Sequence, residues 1–371
     1  MNRSSIAIAH DYLTQRGGAE RVAAEIASIF TDARLMTALY EPDETFDEFA
    51  RVRILPSWLN RLAFARKDPR KALPLLPLAW DLRRYVDADA VICSSSGWAH
   101  GVRTTARTAK VVYCHNPPRW LYQQADYVQS VNSIARIALR LLSGPLRAWD
   151  RRAAASADVY IANSSSVAER VWRAYGIQAE IVHPPVSIDP EGPQLPLAVD
   201  GPFFLTVARS RGYKGTMRIV DAWRGMRISA KLVVVGDPPQ EMHEDGVHFA
   251  GRISEAELRW AYANAEALIS VSREDFGLTP VEANSFGTPV LVIRRGGFLD
   301  STDEGVSGMF IEDDAISSIR DAVEAFPSAW DRQAIIAHAR KFSKERFAER
   351  LKVAVDRAID QHRPNRHDQA R

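Results

Sequence analysis

A chain of 371 residues is longer than one ordinary core, so two domains are expected, and its 46% hydrophobic and 25% charged residues exclude a disordered or fibrous protein. Its two cysteines, Cys93 and Cys114, lie in apolar runs and read as unpaired core thiols of a reducing cytosol. The net charge of +2 is uneven: residues 1–185 carry 24 basic and 18 acidic side chains and the remainder 24 and 28, which argues against nucleic acid as a partner.

The first apolar run, Ile6–Ile8, is too short for the core of a signal peptide and reads as a first strand. No apolar stretch approaches the ~20 residues of a membrane helix. The expectation is a cytoplasmic protein that meets the inner membrane surface, where it does so, from the side. After the strand come His10, a loop with Gly17 and Gly18, and a helix over Ala19–Phe30. Glycines there let the backbone approach an anion at the helix start, although a tight turn without a ligand uses the same residues. The segment is neither G-x-G-x-x-G nor a Walker loop, which weakens oxidoreductase and P-loop readings.

Between Arg51 and Arg84, Arg61, Arg66, Lys67, Arg70 and Lys71 are mixed with Leu, Phe and Trp. That mixture suits an anionic membrane surface or a phosphate-bearing acceptor, and equally a solvated loop beside a half-buried helix. Strands are expected at Val52–Ile54, Ala90–Cys93, Val111–Tyr113, Val159–Ala162 and Ile181–Val182, with a helix over Ser164–Tyr175 capped from Asn163–Ser166. His115 ends a strand in a segment that continues to Arg119 and Trp120, which would shape an acceptor side. A lone histidine at a strand end is more often structural. No cluster has metal-ligand spacing, and no hydrolase elbow is present.

Five prolines between Pro184 and Pro196 mark a linker. Alternation then restarts, with strands at Phe203–Val207, Leu232–Val235, Val247–Phe249, Ala267–Ser270 and Val290–Ile293. Helices are expected at Glu255–Asn264, Thr279–Phe286 and Ile316–Ala325. The fold class is therefore α/β, with two Rossmann-like domains facing a central cleft. The expected division is 1–186 for a first Rossmann-like domain, 187–201 for the linker and 202–343 for a second. A helix over 344–362 would pack back on the first domain, and 363–371 forms a tail.

The sharpest pattern is Glu274 and Glu282 around Phe276, Gly277, Leu278, Thr279 and Pro280. A strand precedes it, Pro280 suits a helix's first turn, and Gly277 lets a ligand approach the helix start. Glu282 would accept hydrogen bonds from ribose and Glu274 would point at the sugar. Alone, two glutamates at this spacing are common flanks of a βα turn. Arg209 and Lys214, after the first strand of this half, would supply two cations to a departing diphosphate.

Together these segments resemble the retaining glycosyltransferases of family 4, which have the two-domain GT-B fold. Carrying the resemblance are Gly17–Glu20, Tyr113–Pro117, Ala162–Ser165, Val182–Val186, Arg209 with Lys214, Phe249–Ile253, Glu274–Glu282 and Gly287–Val290. The double glycine, the histidine segment and Arg295–Phe298 are similar to the bacterial mannosyltransferases that build O-antigens and exopolysaccharides. The resemblance implies His115 and Glu274 at the reacting sugar. It implies Arg209, Lys214 and the backbone at Gly277, Leu278 and Thr279 on the diphosphate, helped by Gly17 and Gly18. Glu282 would bind ribose, and Gly251, Arg252 and Ile253 would line the base. It further implies no metal and no cofactor, with mannose from GDP-mannose passing to a lipid-linked or polysaccharide glycan. The alternatives are a UDP-sugar donor or a GT-B-like epimerase or hydrolase of nucleotide sugars.

Overall fold

The computed structural model describes residues 4–123, 133–207, 215–236 and 245–362. The chain divides into two units, Met1–His183 with Phe347–Arg371, and Pro184–Arg346. In the first, seven parallel strands are β1 (Ile6–His10), β2 (Arg34–Thr37), β3 (Ile54–Pro56), β4 (Ala90–Ser95), β5 (Ala109–Cys114), β6 (Val159–Ala162) and β7 (Glu180–Ile181). They lie in the order β3-β2-β1-β4-β5-β6-β7. β4 and β5 are buried along their whole length, as expected of strands covered on both faces.

Alternate residues of each strand feed two separate cores. Ile8, Ile92, Val111, Tyr113 and Ile161 pack with the helix Gly18–Ile29 and with Phe347, Leu351 and Val355 of the last helix, Lys344–His362. Ala9, Val91, Cys93 and Val112 face Trp80, Trp98 and Trp149 on the other side. Each large side chain buried by the last helix contributes roughly 1.5–3 kcal/mol. Arg357 pairs with Glu180, and His362 Nδ1 lies 3.1 Å from Asp158 Oδ1, so the C-terminal part of this helix is tied to the first sheet's surroundings by charge as well as packing.

The second unit has six parallel strands: β8 (Phe203–Val207), β9 (Lys231–Val235), β10 (Val247–Gly251), β11 (Ala267–Ser270), β12 (Val290–Ile293) and β13 (Gly308–Ile311). Their order is β10-β9-β8-β11-β12-β13. Strand order reverses between β1 and β4 in the first sheet, and between β8 and β11 in the second. Loops leaving such neighbouring strands diverge and open a crevice for a ligand.

Two strands escape sequence patterning. β2 opens on exposed Arg34, and β13 opens on glycine, so neither shows a run of β-branched residues. The strand expected at Val52–Ile54 runs instead over Ile54–Pro56, where Pro56 is tolerated because β3 is an edge strand. Arg83 donates to Leu55 O (2.8 Å) and Thr37 O at that edge. Burial pulls its guanidinium down to about 10.

Candidate active site

At the second sheet's reversal, the chain leaves β11, passes Glu274 and enters the helix Leu278–Ser285 through Gly277. Gly277 has φ 86°, a conformation glycine adopts without steric penalty. The first four N–H groups of a helix lack an intrahelical partner, and here Pro280 removes one of them. Gly277, Leu278 and Thr279 therefore present the backbone donors, and the N-cap residue, a glycine, has no side chain to cap them. The Gly296–Gly297 turn supports this loop from behind. Gly297 N donates to Glu274 O at 3.0 Å, and a Cβ on Gly296 would lie 2.7 Å from the same oxygen.

Next to it, at the exit of β8, the helix Thr216–Trp223 starts at Gly215 with φ 68°, again without a side-chain cap. A Cβ on Gly215 would lie 2.7 Å from Val271 Cγ2, so this helix start packs against the exit of β11. Among the described residues, three α-helices elsewhere have side-chain caps: Ser164 and Asp331 accept from first-turn N–H groups, and Ser254 forms a capping box with Glu257. With glycine at the N-cap the missing side-chain cap costs only about a few tenths of a kcal/mol. Two adjacent glycine starts concentrate open N–H donors and positive dipole ends where an anion restores the missing bonds. Arg209 and Lys214, expected here, lie outside the described residues.

Glu274 and Glu282 are both half-buried. Glu282 Oε2 accepts from Tyr262 Oη at 2.9 Å. Tyr262 is wholly buried, and burial, followed by the nearby carboxylate, pushes its phenol well above 10. It keeps its proton and holds Glu282 in one orientation. Gly251 ends β10 with φ 66°, and Arg252 and Ile253 follow it at the same end of the sheet, two strands from β8.

In the first unit, the exits of β1, β4 and β5 meet at the other reversal. Asp11 accepts from the backbone of Ser96 (2.5 Å), Trp98 (3.1 Å) and Ala99 (2.6 Å), and so acts as a clamp on the loop after β4. His115 Nε2 lies 2.8 Å from Ser94 Oγ, which lies 3.0 Å from His10 Nδ1. Asn163 Nδ2 donates to His115 O at 3.2 Å. Gly17 is the N-cap of its helix and Gly18 its first residue; a Cβ on Gly17 would meet Glu20 Oε2 at 2.5 Å. Trp120 is buried and stacks on Trp98 with centroids 5.1 Å apart, while Arg119 opens the short helix Arg119–Tyr122. The sequence offered one signal for the supporting residues: a run of three serines, Ser94–Ser96, at a strand exit. Tyr262, Gly296 and Gly297 carried none as supports.

The Arg51–Arg84 stretch folds into short helical turns that leave Trp58, Phe64, Leu78 and Leu82 exposed. Arg66 is held by Glu41 at 2.9 Å. Cys93 and Cys114 are both buried and form no disulfide, and burial pushes the Cys93 thiol up to about 12. Among the described residues no group of three or more His, Cys, Asp or Glu side chains could hold a metal ion. No described helix is long and apolar enough to cross a membrane.

Comparison with known proteins places this geometry. Residues 16–190 match the family model for Glycosyltransferase Family 4, and residues 188–342 match Glycosyl transferases group 1. The chain is 24% identical over 392 residues to the alpha-1,3/1,6-mannosyltransferase of Homo sapiens, covering 90% of this chain and 92% of the relative. It is 29% identical over 168 residues to a D-inositol 3-phosphate glycosyltransferase of Actinosynnema mirum, covering 40% of each. Among solved structures, sucrose-phosphate synthase from Thermosynechococcus elongatus superposes with TM-score 0.70 at 16% identity, covering 96% of this chain and 100% of that one. Anabaena HepE in complex with UDP-glucose superposes with TM-score 0.66 at 15% identity, covering 95% and 99%. Matched by the two models along residues 16–342, and folded as two parallel-sheet Rossmann-like units, the chain belongs to glycosyltransferase family 4.

Proposed function

We propose that the chain is a retaining hexosyltransferase that moves mannose from GDP-mannose to a growing lipid-linked or polysaccharide glycan, without a metal or cofactor. The observation that carries the nucleotide-sugar reading is the pair of glycine helix starts at Gly215 and Gly277, at the exits of the neighbouring strands β8 and β11 where the strand order reverses. Each charge-assisted hydrogen bond from such donors to a diphosphate is worth about 1.5–3 kcal/mol, and more as the leaving group gains charge. Arg209 and Lys214 are assigned to the same diphosphate from the sequence. Glu282, oriented by Tyr262, takes the ribose, Glu274 the sugar hydroxyls, and Gly251–Ile253 the base. His115 is the group of the first unit assigned to the transferred sugar.

In the proposed step, the bond from the sugar's anomeric carbon to the phosphate oxygen breaks. The acceptor hydroxyl bonds that carbon on the same face, and its proton passes to the departing phosphate. Mannose is favoured by the likeness to the human mannosyltransferase and by the Arg295–Phe298 segment. Contact with the inner membrane surface is favoured by the exposed apolar side chains among the bases of Arg51–Arg84. The complex of HepE with UDP-glucose favours a second reading, the same transfer from a UDP-sugar. A nucleotide-sugar epimerase would have no use for the basic, apolar stretch.

The test incubates purified protein with GDP-mannose, UDP-glucose and other nucleotide sugars, with membrane lipid extract as acceptor. Turnover of GDP-mannose is expected. Preference for a UDP-sugar would select the second reading, and failure of every donor to bind or react would sink the transferase proposal.

A further inference from the structure

Three buried polar side chains behind His115 have no part in the step just described. His10 and Glu20 are each 2% exposed and Ser94 is inaccessible. They come from three elements: the exit of β1, the first turn of the helix Gly18–Ile29, and the exit of β4. His10 Nδ1 lies 3.1 Å from Ser94 O, a carbonyl oxygen that can only accept. Nδ1 of His10 therefore carries a proton. The same nitrogen lies 3.0 Å from Ser94 Oγ, which accepts from it and turns its own hydrogen toward His115 Nε2 at 2.8 Å. A hydroxyl donating there requires a lone pair on Nε2, and that leaves the proton of His115 on Nδ1.

The opposite arrangement, with Nε2–H on His115, would aim two N–H donors at Ser94 Oγ and strand the hydroxyl hydrogen in a site without water access. Ordinary imidazole favours Nε2–H, so this environment reverses an intrinsic preference. Glu20 closes the far end: Oε1 lies 4.0 Å from His10 Nε2 and accepts from Gln15 Nε2 at 3.0 Å. Whether or not His10 Nε2 also holds a proton, Nδ1 donates, so the direction of the chain is the same. Gly17 belongs to this arrangement, because any Cβ there would crowd Glu20 Oε2.

We propose that His10 and Ser94 are positioning residues for His115, holding its proton on Nδ1 so that it serves the transferred sugar as a hydrogen-bond donor and not as a base. Its role toward the sugar rests on the transferase reading above; the tautomer does not.

The test is nitrogen-15 NMR of the histidine side chains in the full chain at about pH 8, above the ordinary histidine range. His115→Asn assigns the resonances. His115 is expected at least about 90% as Nδ1–H, with Nε2 shifted as an unprotonated nitrogen. Ser94→Ala should redistribute the tautomers toward Nε2–H and lower kcat about 10-fold with little change in donor KM, and Ser94→Thr, which keeps the hydroxyl, should restore the Nδ1–H signature. Nε2–H at His115 in the wild-type protein overturns the proposal, whatever the Ser94 variants do. So does a folded Ser94→Ala protein with wild-type tautomer and kcat. A protein that turns over no donor but shows Nδ1–H at His115 supports the chain and sinks only the transferase reading.

Discussion

Gly297→Ala tests whether the Glu274–Gly277 loop is the part of the second unit that positions donor chemistry. Gly297 has φ −69°, so alanine's own backbone preference is not at issue. The added Cβ would lie 2.2 Å from Phe276 Cα and 2.4 Å from Asp275 O, backbone atoms that cannot rotate aside. Ordinary contact begins near 3.4 Å, so the loop or the glycine turn must retreat by about 1 Å. Overpacking of that kind costs about 1–3 kcal/mol, and each kcal/mol lowers the melting temperature of a unit this size by roughly 2–4 °C. The effect on chemistry is larger, because misplacing a positioned group by about 1 Å costs on the order of 100-fold. The assay is donor-dependent turnover beside thermal melts of the same preparation. A folded Gly297→Ala protein whose kcat/KM stays within about threefold of wild type would refute the reasoning.

Tyr262→Phe removes the hydroxyl that orients Glu282; donor KM should rise about 3–10-fold with a small change in melting temperature, and an unchanged KM would detach Glu282 from the ribose. Lys214→Ala should cost turnover about 100-fold while costing stability little, and equal loss of both would make Lys214 structural. A chelator should leave turnover intact, whereas a requirement for Mg²⁺ or Mn²⁺ would overturn the assignment of the diphosphate to helix starts and cations. Burial holds the His338 imidazole below its usual 6.5. The unfolded chain therefore binds that proton more readily, so stability is full above about pH 6.5 and declines as pH falls below it. His338→Gln should flatten this part of the melting-temperature profile; equal slopes in both proteins would exclude His338 as the cause.

Much of the fold was legible because strands buried on both faces appear as short Val- and Ile-rich runs, as at β4, β5 and β12. β2 and β13 were not, because Arg34 and Gly308 break the run while pairing with a neighbour supplies the order. The Glu274–Glu282 segment was legible because a glycine, a proline and a strand exit are local features. Its supports were not. Gly297 meets Phe276 from 21 residues away, and Tyr262 reaches Glu282 across 20.

The first unit shows the division most clearly. The amino-acid sequence alone determined that His10 and His115 stand at strand exits and that Gly17 and Gly18 lie at the start of a helix, since each follows from residue type and local spacing. Only the tertiary structure decided that β1 lies beside β4, which brings His10 to Ser94, 84 residues away, and Ser94 to His115. It also set the Glu20 carboxylate against Gly17, a neighbour that local spacing does not reveal. The physical reason is that periodicity encodes how much of a segment is buried, while strand order decides which buried groups must satisfy one another.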